Sequence, residues 1–174
     1  MRKTMVLLVV ISGARMNELA PIQRNNIVDS GQEITVNTII KKGKKRGTRT
    51  IILRTRDGPC CPVRAIREWL QYEEYKQRIE ERLYWDYDKK KELGSIGCSR
   101  ELRKIMDQAE VDGCQAGSIV RHATMTKLRG DRASLEEMND FTQHTSGSRI
   151  VDVFYNQPIA RDIGALILKD SENL

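Results

Sequence analysis

The stretch that decides the fold runs from Ser118 to Tyr155. It begins S-I-V-R-H-A and ends Q-H-T-S-G-S-R-I-V-D-V-F-Y, so that Arg121, His144 and Tyr155 follow one another in the chain. An arginine binds phosphate through the paired donors of its planar guanidinium. A tyrosine hydroxyl can attack phosphorus and hold it covalently. This order predicts a phosphate clamp followed by a nucleophile, and the rest of the chain is expected to supply the remaining parts of such a site.

Length and charge narrow the class of protein. The chain has 174 residues, which favours one domain, or one domain plus a tail. Hydrophobic residues make up 39% of it and charged residues 31%, so a core can form but is lean. The net charge of +6 and the isoelectric point near 9.2 favour a polyanionic partner, of which nucleic acid is the commonest.

The cysteines do not follow the pattern of a metal site. An adjacent pair and two isolated residues lack the two-plus-two spacing of zinc sites, and the chain has only two histidines. We interpret the cysteines as reduced side chains of an intracellular protein, nuclear if the host is eukaryotic and otherwise in the cytoplasm or nucleoid. They are Cys60, Cys61, Cys98 and Cys114.

An apolar run near the start, Met5 to Ile11, follows Arg2 and Lys3 and resembles a signal peptide. It is too short to span a bilayer, and it leads into Arg15 and Glu18 without a small-residue cleavage site. We therefore predict a buried core helix and expect no membrane partner.

The first elements follow from this run. We predict a helix over residues 2–12 that ends at Gly13, because glycine often follows the last helical turn. A second helix is expected from Met16 to Ile22. Taken alone, Arg15 and Glu18 would form an i,i+3 pair on the surface.

A basic hairpin is predicted next. Residues 33–38 and 48–53 have the pattern of β-strands, and K-K-G-K-K-R-G lies between them as a turn. A charge run is usually only a solvated loop, but a hairpin tip with five cations is also suited to reach a phosphate backbone. The five cations are Lys41, Lys42, Lys44, Lys45 and Arg46.

The middle of the chain predicts further helices. Pro62 is expected to open a helix with an apolar face. Residues 72–93 predict a charged helix and loop whose aromatic residues cover an edge of the domain. Residues 99–110 predict a helix with Ser99 as its cap. The aromatic residues are Tyr84, Trp85 and Tyr87.

The deciding stretch itself should begin and end in helix. Residues 113–117 predict a loop, with Ser118 as the cap of the helix that carries Arg121. Residues 134–142 predict a helix with a capping box formed by Ser134 and Glu137. A short helix over about 146–156 would carry Tyr155.

These elements resemble the catalytic domain of the tyrosine recombinase (phage integrase) family, from about residue 2 to about 157. G-A-R-M-N-E-L resembles the family's Gly-x-Arg-x-x-Glu-Leu box, which implies that Arg15 is the first catalytic arginine and Glu18 its acidic neighbour. The basic hairpin resembles the one that carries the catalytic lysine. Alignment on the glycine picks Lys42, with Lys41 and Lys44 as alternatives.

The rest of the resemblance lies in the deciding stretch. S-I-V-R-H-A is similar to the family's His-x-x-Arg-His box, which implies that Arg121 is the second arginine and His122 a structural neighbour. Q-H-T-S resembles Gly-His-Ser-Ser and implies a catalytic role for His144. Tyr155, eleven residues later, stands where the nucleophile belongs.

Two positions depart from the family pattern. Ser118 replaces the histidine that helps to manage the tyrosine proton, and serine is a poor general base. Water or His144 would then take that role, or activity would be reduced. Gln143 replaces the glycine before the third-box histidine.

The resemblance implies a mainly helical α+β fold with a small antiparallel sheet, and a catalytic domain over residues 1–157 followed by a tail over 158–174. It implies cleavage and rejoining of double-stranded DNA in a tetrameric synapse, without a metal or cofactor. The family's N-terminal clamp domain is not in this sequence, so a fragment is expected. The segment around Tyr155 is similar to recombinases of Crypton or DIRS-type eukaryotic mobile elements.

Three alternatives remain open at this stage. A DNA-binding remnant of such an enzyme would bind DNA without cleaving it. A structural or protein-interaction domain would have an incidental basic surface. A type IB topoisomerase shares the chemistry and would relax supercoiled DNA without strand exchange.

Overall fold

The computed structural model describes residues 1–42, 45–72, 82–111, 116–151 and 153. The chain divides into two compact units, Met1–Thr124 and Met125–Leu174. The expected tail over residues 158–174 lies outside the described residues, so the predicted boundary at residue 157 stays a prediction.

The first helix confirms the interpretation of the apolar run. Helix α1 spans Arg2–Ser12, and Met5 and Leu8 on it are fully buried. Gly13 follows with φ 59°, in the left-handed region that glycine enters without a Cβ clash, and its N–H donates to the Val9 carbonyl at 2.8 Å. The helix therefore turns sharply into the loop that carries Arg15.

Helix α2 is shorter than predicted. It spans Met16–Leu19, whereas the sequence predicted a helix to Ile22. Proline has no N–H to donate, so the helix cannot continue normally through Pro21. A short 3-10 turn over Arg24–Asn26 then leads into the sheet.

The sheet has three antiparallel strands in the order β1-β2-β3: Ile27–Asp29, Glu33–Lys42 and Lys45–Arg54. The sequence did not predict β1. The predicted turn over residues 41–47 was too wide, because Lys41 pairs with Arg46 and Lys42 with Lys45 in the strand ladder. Both strands thus continue to the charged end of the hairpin. Backbone hydrogen bonds alone can extend the ladder there, without burial of side chains.

Helix α3 begins as predicted at Pro62 and spans Pro62–Gln71. Cys61 caps it, since its Sγ accepts the Arg64 N–H at 3.5 Å. On α3, Trp69 is buried and its indole N–H donates to the Leu83 carbonyl at 2.9 Å. This bond ties the helix to the segment that follows residue 81.

That segment contradicts one prediction. Tyr84 and Trp85 were expected to cover an edge, but Tyr84 is fully buried and Trp85 nearly so. The Leu83 N–H donates to the Ile22 carbonyl at 2.9 Å, which holds the segment inside the core. Strand β4, Trp85–Asp86, then pairs with β5, Lys91–Glu92. Residues 73–81 of the expected charged helix lie outside the described residues.

The later helices correct two predicted caps. Helix α4 spans Ser95–Gln108 with Gly94 as its N-cap, so Ser99 lies inside it and bonds to the Ser95 carbonyl at 3.0 Å. Helix α5 spans Ala116–Gly130, which places Ser118 within the helix rather than at its cap. Both helices begin before the serine that was predicted to cap them.

Helix α6 and the turns after it belong to the second unit. It spans Leu135–Thr142, and the predicted capping box is confirmed: the Ser134 N–H donates to Glu137 at 2.7 Å and the Glu137 N–H to the Ser134 hydroxyl at 3.2 Å. Helical backbone resumes at Ile150. Residues 152 and 154–156 of the predicted helix over 146–156, including Tyr155, lie outside the described residues.

Each unit has its own hydrophobic cluster. The first contains side chains of all four α-helices that begin before residue 110, of β2 and β3, and Val120 of α5. The second is small, with Met125, Met138 and Val151 buried at its centre. Among the described residues, no helix combines the length and apolar character needed to cross a membrane. The mainly helical α+β fold with a small antiparallel sheet is confirmed.

Candidate functional site

The loop after α1 holds Arg15 above a buried carboxylate. The Arg15 backbone N–H donates to Glu18 Oε2 at 3.2 Å, and Arg15 Nη1 donates to Oε1 at 3.1 Å. The Arg15 side chain is 37% exposed, but the Glu18 side chain is only 3% exposed. The i,i+3 pair is present, but the expectation that it lies on the surface is wrong for Glu18. Glu18 anchors Arg15 from inside the protein and leaves its guanidinium partly open to solvent.

Arg49 on β3 is a residue that the sequence reasoning missed. Its side chain is 5% exposed, its Nη1 donates to Glu18 Oε2 at 2.9 Å, and its Nη2 donates to the Ser12 carbonyl. The sequence did indicate that Arg49 faces the core. Residues two apart on a strand lie on the same face of the sheet, and Ile51 and Leu53, two and four residues after Arg49, are buried. A cation at a core-facing position of a strand needs a buried partner.

The electrostatics of this cluster follow from burial. Desolvation lowers the pKa of the Arg49 guanidinium, while the Glu18 carboxylate raises it and Arg15 lowers it. Arginine keeps its proton in proteins even so. One buried carboxylate is thus shared by two guanidinium groups, and the cluster keeps a net positive charge.

Arg121 on α5 reaches the same loop. It is buried, and its Nη1 donates to the Gly13 carbonyl, although the two residues are 108 positions apart in the chain. Arg15 lies two residues after Gly13. The structure therefore brings Arg15, Glu18, Arg49 and Arg121 to one loop of the first unit.

The neighbours of Arg121 on α5 differ in exposure. Ser118, one turn earlier, is exposed, and His122 is half-buried. On the hairpin, Lys42 ends β2 and Arg46 is exposed on β3. Lys44 lies outside the described residues, and nothing in the structure distinguishes Lys41 from Lys42. The choice of Lys42 stays a prediction.

His144 lies in the second unit, directly after α6. Its N–H donates to the Asn139 carbonyl at 2.8 Å, and the Gln143 N–H donates to the Asp140 carbonyl at 3.1 Å. This pair of bonds forms a Schellman motif at the end of the helix. The motif needs one residue in the left-handed backbone conformation, and Gln143 takes that place with φ 58°. The family pattern has glycine there, and this backbone geometry gives the reason.

The His144 ring has a partner on the last turn of the same helix. Its Nδ1 lies 2.7 Å from the hydroxyl oxygen of the buried Thr142. Sequence reasoning did not identify Thr142. The helix end thus fixes both the backbone and the ring of His144. Tyr155 lies outside the described residues, and its role stays a prediction.

The described part of the chain contains no group of three or more His, Cys, Asp or Glu side chains able to hold a metal ion. Cys61 and Cys98 are buried and Cys60 is exposed. Burial raises the pKa of the Cys98 thiol to about 12, so it stays protonated at neutral pH. Cys61 and Cys98 act as packing and capping residues.

Solved structures with this fold include recombinases. The chain is 19% identical to the XerH site-specific recombinase in a post-cleavage complex with its palindromic difH substrate, with a TM-score of 0.69 over 98% of this chain and 44% of that one. It is 16% identical to the XerA recombinase, with a TM-score of 0.67 over 98% of this chain and 55% of that one.

A third structure extends the likeness to transposon proteins. The Tn1549 transposon integrase, solved in complex with circular intermediate DNA, is 11% identical, with a TM-score of 0.56 over 95% of this chain and 56% of that one. The chain thus spans about half the length of the recombinases that it resembles. A comparison with curated protein sequences gives no match.

A family comparison covers every residue that the structure describes. The model of the phage integrase family matches residues 1–159, which include the arginine loop, the basic hairpin, Arg121, His144 and Tyr155. The match extends over far more than half of the sequence and agrees with the fold of the solved recombinases. The chain belongs to the phage integrase family.

Proposed function

We propose that this chain is the catalytic domain of a site-specific DNA recombinase that cuts a DNA strand and rejoins it through a covalent 3′-phosphotyrosine link. Membership in the phage integrase family supports the reaction class. The observation that carries the proposal is the bond from Arg121 to the loop of Arg15. Two arginines far apart in sequence are supported by one loop, as a two-arginine phosphate clamp requires.

The chemistry explains why arginine is needed at both positions. Attack on a phosphodiester passes through a five-coordinate phosphorus whose non-bridging oxygens carry negative charge. Arg15 and Arg121 neutralise this charge through planar, paired donors that lysine does not offer. Glu18 and Arg49 hold the loop so that the clamp exists before DNA binds.

The remaining steps use single side chains. Tyr155 attacks phosphorus, and the new tyrosine–phosphorus bond forms as the bond to the 5′-oxygen breaks. Lys42 donates a proton to that leaving oxygen as general acid. His144 forms a hydrogen bond with the same phosphate group. Because the phosphotyrosine link keeps the energy of the broken bond, rejoining needs no nucleotide cofactor.

Double-stranded DNA is the partner that we propose, and charge supports it. The net charge is +6, and the hairpin contributes a run of cations that ends in the exposed Arg46. Binding of this kind weakens as salt rises, because cations on the protein release counterions from DNA. Four copies on two DNA sites would form the synapse that the family implies.

A covalent trap tests the proposal. The chain is incubated with a pool of nicked duplexes of randomised sequence, and protein–DNA adducts are separated on a denaturing gel. We expect an adduct with the wild type and none with Tyr155→Phe. Tyr72→Phe removes the hydroxyl of a half-exposed tyrosine on another segment and should leave the adduct unchanged. An adduct with Tyr155→Phe would contradict the assigned nucleophile.

A second candidate function is DNA binding without cleavage. The exposed Ser118 favours it, since a serine there lacks the proton-accepting nitrogen of the family's histidine. This candidate predicts salt-sensitive DNA binding and no adduct for the wild type. Relaxation of a supercoiled plasmid without strand exchange would instead assign the chain as a topoisomerase.

A further inference from the structure

A polar cavity of about 320 Å³ lies in the first unit, where the 3-10 turn meets the sheet. Strand β2 contributes Asn37 and Ile39 to its wall, and β3 contributes Thr48, the partner of Ile39 in the strand ladder. A bridge between Gln23 and Arg82 holds the backbone of Arg82 against the start of the turn. The fold thus assembles the cavity from segments that are far apart in the sequence.

Two asparagines on the wall have their side-chain oxygens occupied. Asn26 Oδ1 accepts the Gln23 N–H at 3.1 Å, and Asn37 Oδ1 accepts the Thr50 hydroxyl at 2.9 Å. A backbone N–H can only donate, so the amide group of Asn26 must turn its oxygen, and not its nitrogen, towards Gln23. Within the described part of the chain, neither Nδ2 group has a partner, so both remain donors for a ligand.

The charge of the wall also suits a ligand that is rich in acceptors. Arg82 supplies a guanidinium group whose Nε donates to Glu92 at 3.1 Å, and its side chain is 30% exposed. Thr48 is exposed and adds a hydroxyl. None of the described residues that line the cavity is acidic. Asparagine, threonine and arginine side chains are common donors to the phosphate oxygens of DNA.

Thr38 connects the cavity to the arginine loop. It lies on the wall and is buried, and its hydroxyl donates to the carbonyl of Glu18, the partner of Arg15. In the other direction, Lys42 follows Ile39 by three residues on β2, a distance of about 10 Å along a strand. The cavity therefore adjoins the arginine loop and lies about three nucleotides of one DNA strand from the end of β2.

We propose that this cavity binds a phosphodiester group of the DNA backbone, in addition to the phosphate held by Arg15 and Arg121. The proposal rests on the proposed function, because it takes DNA as the partner. The amide groups of Asn26 and Asn37 donate to the phosphate oxygens, and Arg82 offsets their charge. Such a contact reads no sequence, but it fixes the register of the strand on the protein. It would therefore help to place the phosphate that is cut at the arginine loop.

Nitrogen-15 NMR of the side-chain amides tests the site without DNA. Inorganic phosphate, compared with sodium chloride at equal ionic strength, should shift the NH₂ signals of Asn26 and Asn37. Asn26→Asp and Asn37→Asp assign these signals by their loss, and a native backbone amide spectrum shows that each variant is folded. The signals of Asn25, which is exposed on the same turn but does not line the cavity, should stay in place. Unmoved signals of Asn26 and Asn37 would overturn the phosphate site.

Fluorescence anisotropy with two duplexes of unrelated sequence tests the assignment to DNA. Asn26→Asp keeps an oxygen for the Gln23 N–H but replaces the donor by a negatively charged oxygen, so it should weaken binding about tenfold. Asn25→Asp makes the same change of charge outside the cavity and should weaken binding far less. The loss should be equal on both duplexes, because a phosphate contact does not depend on sequence.

The salt dependence of binding tests the role of the guanidinium group. Arg82→Gln should reduce the slope of log affinity against log salt concentration by about 0.9, the value for one lost phosphate contact. Glu92→Gln removes the ion-pair partner of Arg82 and should not reduce the slope. A reduced slope for Glu92→Gln as well would show that the ion pair, and not a phosphate contact, is responsible.

The remaining outcomes separate this proposal from the proposed function. Equal losses for Asn26→Asp and Asn25→Asp would overturn the site, since only the overall charge would then matter. A response to inorganic phosphate without any effect on DNA affinity would overturn it in favour of a site for free phosphate, and unequal losses on the two duplexes would assign the cavity to a base. A wild type that binds DNA but forms no covalent adduct would refute the proposed function alone, whereas no DNA binding would overturn both.

Discussion

The arginine loop of the first unit and the histidine turn of the second are built in opposite ways. The loop from Ser12 to Glu18 is held by Arg49 and Arg121, which come from distant parts of the chain. The His144 turn is held by Asn139 and Thr142, which lie within five residues of it. The first region therefore depends on the whole fold of its unit, whereas the second depends mainly on one helix end.

The largest expected effect is at the buried arginine of the loop. Arg49→Met leaves the Ser12 carbonyl and Glu18 without their buried donor, and should lower the free energy of unfolding by about 3–5 kcal/mol in a urea titration. Arg54→Met is the matched control on the same strand. Its side chain is 80% exposed and lies 3.9 Å from Glu33, so its loss should change little. Equal effects of the two changes would refute the buried network.

The next effect separates the two units. Met138→Ala removes a fully buried side chain from the small cluster and should destabilise it by about 2–5 kcal/mol. Amide hydrogen exchange should accelerate in α6 and stay unchanged in α1. Leu8→Ala should give the reverse pattern, because Leu8 lies in the other cluster. Equal acceleration in both helices for either variant would contradict independent cores.

A stabilising change is expected at the helix end. Gln143→Gly replaces a residue with φ 58° by one that adopts the left-handed region without strain, and should stabilise the second unit by about 1 kcal/mol. Thermal unfolding measures the change. Gln143→Ala also removes the bond from the Gln143 side chain to the Asp140 carbonyl but keeps a Cβ, so it should not stabilise. A destabilised glycine variant would contradict the assigned backbone strain.

Loss of the N-cap of the same helix should lower the stability of the second unit. Ser134→Ala removes the acceptor of the Glu137 N–H and should destabilise the second unit by about 1 kcal/mol. Ser99→Ala is the control, since Ser99 lies inside α4 and only bonds back to a carbonyl of its own helix. Its effect on thermal unfolding should be close to zero, and a larger loss there would restore Ser99 as a cap.

The smallest effect concerns one carboxylate. The backbone N–H of Ser134, and then its side chain, hold the pKa of Glu137 below its ordinary value of 4.5. The stability gained from this contact is thus complete above pH 4.5 and disappears as the pH falls through the lowered pKa. Carbon-13 NMR titration of Ser134→Ala should show a partial rise of that pKa, because the backbone donor remains. An unchanged midpoint would show that the hydroxyl does not contribute.

Local signals predicted the local parts well. Gly13, Pro62 and the capping box at Ser134 each act on the backbone within one turn, and each was placed correctly from the residue type. The predicted caps at Ser99 and Ser118 were wrong, since serine also fits inside a helix when its hydroxyl bonds back one turn, as at Ser99. Local chemistry alone does not tell a cap from an interior serine.

Local chemistry also limited the prediction of the candidate site, because it does not show which residues from distant segments come into contact. Arg15, Arg121 and His144 were named as candidates because the motifs that carry them resemble those of the family, and their catalytic roles stay predictions. Arg49 and Thr142 were missed, because their importance lies in what they touch. A buried arginine looks like any strand cation until the fold places a carboxylate beside it.

The sequence by itself determined the main elements, because hydrophobic periodicity and backbone restrictions act over short distances. Its motifs also carried the resemblance to the family and the residue types available for phosphate chemistry. Only the tertiary structure decided that Glu18 is buried and that Arg49 and Arg121 hold the loop of Arg15. The physical reason is that desolvation and pairing of charges depend on which segments pack together. Residue spacing alone does not specify that packing.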